Sequence, residues 1–426
     1  MRTRLWISEA LVGAALLCPC SAVAEELSWE SCVTEVSRNN ADLEVSRQNL
    51  RAAEYQYRAA YSGFLPQVSG NYSYAHTNAS GIGGVQGTGS SSNNYASATL
   101  DATENLFSGF QDRGKIDQAA ANREVVEASL DATRAKVTFD LTSAYAGLSY
   151  AQNSVELSNE IVKRRDANLQ LVQMNFEGGR ENRGSYLLSE ANLNQSRFES
   201  LQARGAVDVA GQALAKALGR PEGVGLRVSG QVPISAPGTA PDIERLVPLT
   251  PEHRQAVAQE RVNKALVTQA RSQFYPSLTA NGSWGKQGNE FFPEDSRWNV
   301  GFTFSIPIFN GGRDYFGSKA AVANLASALS NEQSVNRQSR LNLRQTWTAY
   351  VEAVEKLKVD EGFVQAATVR ADIARRKYNN GLLSFEDWDI IENDLIAREK
   401  TVLQSRRGRT IAEAAWNQAQ GKGVIP

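Results

Sequence analysis

The chain has 426 residues, 42% of them hydrophobic, with 45 Lys and Arg against 46 Asp and Glu and a formal charge of −1. So even a balance leaves no electrostatic footprint for nucleic acid, and no nucleic-acid partner is expected. A mean hydropathy of −0.39, with no uncharged apolar run of about 18 residues beyond the N-terminus, argues against a transmembrane helix.

The N-terminus reads as a targeting segment. Arg2 and Arg4 precede an apolar run from Ala10 to Leu17, and Ala22-Val23-Ala24 offers small residues for cleavage before Glu25. Residues 1–24 are therefore predicted to be a signal peptide, too short for an anchor. Leu17 precedes Cys18 and Pro19 precedes Cys20, so neither cysteine has the small residue that lipidation signals place before it. Cys32 is then alone in the mature chain, and no intramolecular disulfide is expected.

A helix is predicted before Phe64-Leu65-Pro66. From Gln67 to Thr77 the sequence alternates, Val68, Tyr72 and Tyr74 on one face and Ser69, Asn71 and Ser73 on the other. After a Gly/Ser-rich loop around residues 81–94, the segment from Tyr95 to Leu106 alternates again. Period two is the mark of a two-faced strand. Next comes a different period. Leu141, Leu148, Val155, Val162, Leu169 and Phe176 are spaced by seven, a coiled-coil seam. A helix from Gln111 to Phe176 would run roughly 100 Å at 1.5 Å per residue. Gly178-Gly179 ends it, and a second helix returns toward residue 218.

Residues 219–248 hold Pro221, Pro233, Pro237, Pro241 and Pro248, and read as a linker. Beyond it the chain repeats itself. Phe107 pairs with Phe309, Phe176 with Tyr378, Arg204 with Arg406 and Gly219 with Gly421, always 202 residues on. The second copy carries Phe274-Tyr275-Pro276, alternating Leu278, Ala280 and Trp284, and the most strongly two-faced stretch of the chain. There Trp298, Val300, Phe302, Phe304 and Ile306 alternate with Asn299, Gly301, Thr303 and Ser305. Its heptad runs Leu343, Tyr350, Leu357, Val364, Ala371, Tyr378. The organisation is thus a first repeat over 25–218, with a β-hairpin at 67–107 and a helical hairpin at 110–218. A linker follows over 219–250. The second repeat covers 251–426, with a β-hairpin at 277–309 and a helical hairpin at 313–420.

Four strands cannot close a barrel, and open strand edges are not tolerated in lipid. If the apolar faces meet lipid, further chains must supply strands, and three copies give twelve, an allowed number. The competing arrangement is a small soluble sheet packed on the helices, which leaves the signal peptide and the very long helices without a shared purpose.

These doubled elements, Phe64-Leu65-Pro66, Phe309-Asn310-Gly311-Gly312 and the Phe/Tyr-x-x-Gly tip turns, resemble the TolC family of outer-membrane channel proteins over essentially the whole mature chain. The resemblance implies a mixed α/β membrane protein: a homotrimeric twelve-stranded transmembrane β-barrel continuous with a long coiled-coil α-helical barrel in the periplasm. Trp298, Val300, Phe302, Phe304 and Ile306 would then face outer-membrane lipid. It implies the passive exit duct of a tripartite efflux pump or type I secretion system, partnered by a periplasmic adaptor and an inner-membrane transporter. By the same resemblance Asp387, with Glu386 and Tyr378 nearby, falls at the periplasmic aperture, and Gly179 and Gly381 form the tip turns; Arg180, Glu181 and Arg183 at the first tip would make closing ion pairs of their own or dock an adaptor. Departures are plain: Ile390 stands where the family often has a second Asp, Asp389 is off-phase by one, and Leu383 and Ser185 occupy latch positions. The reading from another class is a trimeric surface coiled coil with a structural or adhesive role, against which the two β-hairpins argue. No enzyme is expected, and no cofactor or metal. His76 and His253 are the only histidines, Gly81-Ile82-Gly83-Gly84 reads as loop, and no His/Cys cluster exists for zinc.

Overall fold

A computed structural model describes residues 25–80, 90–221 and 225–425. The targeting segment with Cys18 and Cys20, and the glycine run 81–84, lie outside them. Strand β1 (Glu25–Leu27) leads into α1 (Trp29–Asn39) and α2 (Ala41–Ala59); β2 (Gln67–Ser80) and β3 (Ser90–Phe107) form the first hairpin. Helices α3 (Gln111–Glu177) and α4 (Arg183–Leu218) follow, then β4 (Leu226–Val228) and the single turn α5 (Ile243–Leu246) in the linker. The second copy comprises α6 (Pro251–Ser272), β5 (Ser277–Gly288), β6 (Asp295–Ser305), α7 (Arg313–Asn379) and α8 (Phe385–Ala419). Helices α3 and α7 are each 67 residues long and start 202 residues apart, so each spans about 100 Å.

The four long strands form one antiparallel sheet in the order β2-β3-β5-β6. Direct partners share a face, so the register defines both surfaces. One carries Val68, Gly70, Tyr72, Tyr74, Ala98, Leu100, Ala102, Leu278, Ala280, Trp284 and the alternating large residues of β6. Its rows are clear: Gly70, Leu100, Trp284 and Trp298 stand side by side. Trp298, Val300, Phe302 and Phe304 are 63–77% exposed, so this apolar face is not the surface of a core. The other face is a polar lattice: Asn71 Nδ2 donates to Asp101 Oδ2 at 2.7 Å, Thr99 Oγ1 donates to the same oxygen at 2.9 Å, and the Ser73 and Ser97 hydroxyls meet at 2.8 Å. β6 stops at Ser305, short of the whole alternating run. Ile306 and Ile308 lie in the connection to α7, where Pro307 has no N–H for a ladder.

The turn from sheet to helix is the same in both copies. Gly109 and Phe110 have φ of 63° and 71°, and their partners Gly311 and Gly312 have 64° and 81°. This left-handed pair is why the second copy spells Gly-Gly. Phe110 bears the strain with its ring wedged edge-on between Phe107 and Tyr275, at 5.5 and 5.7 Å.

The helices stand four abreast. In the half near the sheet, α3 packs between α2 and α6, and α6 packs against α7; in the half away from it, α3 lies between α4 and α8, and α8 against α7. So α7 forms one edge throughout, and α2 or α4 the other. In α7 the heptad is buried as expected at Leu343, Tyr350, Leu357, Ala371 and Tyr378. In α3 it is buried only at Leu141 and Leu148. Further on, the buried register moves to Ala151, Ser158, Arg165 and Val172, while Val155, Val162 and Leu169 are half-buried and Phe176 is exposed. Because α3 has a neighbour on each side, small and hydrogen-bonding residues suit its contacts better than one wide apolar stripe.

Two apolar cores sit at mid-height. One gathers Cys32, Val36, Leu141, Leu148, Leu214, Leu218 and Ile425; the other Val247, Leu343, Tyr350, Val354 and Trp416. The linker is strapped to both: the Tyr145 hydroxyl donates to the Ser229 carbonyl and the Tyr350 hydroxyl to the Ser235 carbonyl, each at 2.6 Å. Gly219 ends α4 with φ 78°, and a Cβ there would lie 2.4 Å from the Asn39 carbonyl oxygen. Gly219→Ala should therefore cost well over about 1 kcal/mol. Gly205→Ala, in α4 with nothing within 4 Å, should stabilise by about 0.5–1 kcal/mol. Thermal unfolding of the two variants checks both signs.

Candidate functional site at the helical tip

Both helical hairpins end in the same device at the far end from the sheet. α3 closes through Gly178 and Gly179, with φ 69° at Gly179, and Arg180 N–H returns to the Asn175 carbonyl at 2.7 Å. α7 closes through Asn380 and Gly381, also with φ 69°, and Leu382 N–H returns to the Lys377 carbonyl at 2.8 Å. These 6→1 bonds satisfy the carbonyls that a helix end leaves free. Asn182 then caps α4 by accepting from Ser185 N–H at 3.0 Å, and Ser384 caps α8 by accepting from Asp387 N–H at 3.1 Å.

Between the turns lies a small aromatic core. Tyr378 stacks on Trp388 with centroids 4.4 Å apart and planes 16° from parallel, and Phe385 meets both rings edge-on. Val172 of α3 completes it. The Tyr378 hydroxyl donates to Glu181 Oε2 at 3.1 Å and accepts from Asn175 Nδ2 at 3.4 Å, joining one hairpin to the other. Burial pushes this phenol up to about 12, the Glu181 carboxylate adding to the shift. Tyr378 therefore stays neutral, and a donor, far above neutral pH.

Behind the core is an ion-pair network that sequence reading missed. Arg165 donates to Asp389 Oδ1 at 3.0 Å and to Asn393 Oδ1 at 2.5 Å. Asn192 donates to Asp389 Oδ1 at 3.0 Å and Asn393 to Asp389 Oδ2 at 2.9 Å. Three helices, α3, α4 and α8, thus meet on one carboxylate. The Arg165 and Asp389 side chains are only 8% and 15% exposed. Farther from the turn, Arg164 forks onto Glu399, and Lys400 reaches Glu199 at 2.7 Å. Asp389–Asn393 is a visible i,i+4 pair, but nothing in the sequence marks Arg165, 224 residues away, as its partner.

The three residues expected at the aperture separate by environment. Tyr378 is buried, whereas Glu386 and Asp387 are exposed on the first turn of α8. Asp387 has a structural task as well: Ser384 Oγ donates to its Oδ2 at 2.9 Å, which closes a capping pair around the helix start. Arg180 and Arg183 are exposed and make no ion pair among the described residues, while Glu181 between them is occupied by Tyr378 and by Asn182 N–H. Ser185, at the position equivalent to Asp387 in the first hairpin, is buried. Among the described residues no group of three or more His, Cys, Asp or Glu is placed to hold a metal.

Asp389→Ala strands the buried Arg165 guanidinium and should destabilise the tip by about 3–5 kcal/mol. Asp387→Ala, on an exposed turn, should cost about 1 kcal/mol or less. Amide exchange across residues 160–200 and 380–400 distinguishes the two, with strong local deprotection expected for the first variant only.

Comparison with known proteins agrees with this architecture. The family model described as outer membrane efflux protein matches residues 33–220 and 249–422. The chain is 21% identical over 407 residues to the probable outer membrane lipoprotein SilC of Salmonella typhimurium, covering 92% of this chain and 85% of that protein. It is likewise 21% identical over 412 residues to the cation efflux system protein CusC of Escherichia coli K12, covering 92% and 86%. A solved membrane protein from Pseudomonas aeruginosa superposes with a TM-score of 0.83 at 19% identity, covering 92% of this chain and 93% of that one. The two matched spans fall on the two copies of the duplicated unit, with the linker between them, and together they show that the chain belongs to the outer membrane efflux protein family, the TolC-like channels of the outer membrane and periplasm, which are transport conduits and not enzymes.

Proposed function

We propose that three copies form a continuous exit duct across the outer membrane and periplasm, fed by an inner-membrane transporter through a periplasmic adaptor. The observation that carries this reading is the pair of open edges. β2 and β6 border a sheet whose outward residues are large, apolar and exposed. With four alternating strands, β6 of one copy and β2 of the next run antiparallel, so copies can add without breaking the ladder pattern. Three copies close twelve strands and leave no backbone edge in lipid. Helices repeat the arithmetic, because four abreast in each copy become twelve.

The edge helices support the same closure. α7 exposes Val322, Leu329, Val359, Val369 and Ile373, and the opposite edge exposes Val45 and Tyr55 on α2 and Phe198, Leu201 and Val209 on α4. Such rows on both sides of one wall suit a repeated heterologous contact that closes as a ring. In that ring the apolar sheet face meets lipid and the Asn71–Asp101–Thr99 lattice meets channel water. Crosslinking in detergent should trap trimers, and only monomers would count against the assembly. Phe302→Arg, placing a cation near mid-strand on the lipid side, should lower trimer yield, a penalty of about 2–4 kcal/mol per copy. Thr303→Arg should assemble, and equal trimer yields from the two variants would show the facing assignment to be wrong.

At the tip, three Asp387 carboxylates ring the aperture in our reading, with the exposed Arg180 and Arg183 offering a docking surface to the adaptor. A ring of like charges in a constriction favours cations. Asp387→Ala should weaken cation preference and relieve block by multivalent cations from the periplasmic side. Glu386→Ala, about 100° around the helix, should change conductance less. Single-channel recordings compare them, and unchanged selectivity in the Asp387 variant would move the constriction elsewhere. Small-molecule efflux and protein secretion both suit such a duct.

A further inference from the structure

The β5–β6 loop does not rise as a free lid over the sheet's far end. It folds back across the apolar face. Phe291 packs its ring on Tyr72 and Tyr74, at 5.7 and 5.4 Å, and the Tyr72 hydroxyl donates to the Phe291 carbonyl at 2.5 Å. Both tyrosines belong to β2, on the face of Trp284 and Trp298. To reach them the loop passes over β3, where Ala96 is 0% exposed. A second contact gives the same direction: a Cβ on Gly288, which shares the row of Tyr74 and Ala96, would lie 3.5 Å from Pro293 Cα. The loop thus leans toward the apolar side along its length.

Three features around this clip match a lipid boundary. Phe292 stands edge-on to Phe291 at 5.1 Å yet is 78% exposed. One row nearer the strand centres, Trp284 and Trp298 form a cross-strand pair, 65% and 77% exposed. Between them and the loop, in the row of Tyr72 and Ala98, Lys286 is exposed and makes no ion pair among the described residues. Aromatic rings at the acyl–headgroup border with a cation at phosphate height are the usual pattern of a membrane-facing rim. The loop acids Glu290 and Glu294 are exposed as well.

We infer that the Phe291–Phe292 loop is a membrane-seated clip: Phe291 fastens the β5–β6 hairpin to β2, while Phe292 and Lys286 engage the headgroup border of the outer-leaflet lipid. This rests on the proposed lipid facing of the sheet. It turns the loop away from the polar face, so the loop leaves the duct's outer mouth unobstructed.

The test is depth-dependent quenching on the full mature protein, reconstituted in vesicles of phosphatidylethanolamine and phosphatidylglycerol. Phe292→Cys and, separately, Phe302→Cys are labelled with bimane; native Cys32 is fully buried and does not compete. The clip predicts blue-shifted emission at position 292, quenched by lipid carrying a shallow nitroxide and little affected by aqueous iodide. Adding Tyr72→Phe and Phe291→Ala should shift that emission red and open it to iodide, with position 302 unchanged. Iodide quenching at 292 beside lipid quenching at 302 would overturn the clip alone. Iodide quenching at both positions would overturn the lipid-facing reading beneath it. Lipid quenching at 292 that survives the double substitution would refute the fastening role of Phe291.

Discussion

An unpaired backbone edge is the constraint on which this architecture turns. N–H and C=O groups facing hydrocarbon cost several kcal/mol each, and this chain carries two such edges on a sheet that is apolar on one side. Four strands are too few to hide them, which is why we read the sheet as one part of a proposed trimeric barrel. The same incompleteness extends down the helices, where α7 lies at one border with its apolar residues uncovered. On that reading fold, assembly and transport role are not separable properties. A monomer that satisfied its own edges would have no lumen.

Packing chemistry changes along the long axis. At mid-height the seams are Leu, Val and aromatic residues, fully buried, with the linker tied to both repeats by tyrosine hydroxyls. Toward the tip the α3 seam turns to Ser158, Arg165 and Asn168, and α4 buries Ser185, Ser189, Ser196 and Ser200. Burial of small polar residues contributes little hydrophobic stabilisation, so beside the small aromatic core around Trp388 the contacts are directional: Arg165 on Asp389, Arg164 on Glu399, Tyr378 on Glu181. Regions with few apolar contacts open at lower free energy than the global unfolding cost. The waist is thus held mainly by apolar packing and the tip more by polar contacts.

Much of this was legible in the sequence because it depends on period and repetition. Alternation located the sheet and its faces, and an offset of 202 residues aligned the two helical hairpins and both tip turns. Strand ends were less clear: Pro307 ends a ladder that alternation alone would carry to Ile308. The α3 seam was misplaced because large side chains attract attention, whereas a helix with two neighbours buries small ones. The Arg165–Asp389 network was invisible for a plainer reason, since a partner across three helices leaves no local mark. Asp387 was read as an aperture charge, and its hydrogen bond from Ser384 gives that carboxylate a second task.

The equivalence of Ser185 and Asp387 bears on the symmetry of the proposed trimer. In the proposed trimer, two hairpins of like architecture per chain would set six tips at nearly equivalent places. With an exposed carboxylate at Asp387 and a buried serine at Ser185, the symmetry of that ring would be threefold. In that arrangement the two classes of hairpin would carry different charge at equivalent places, and they need not move together. The two hairpins are also told apart by their caps, Asn182 against Ser384, and by Arg180 and Arg183 where the second copy has Leu382 and Phe385.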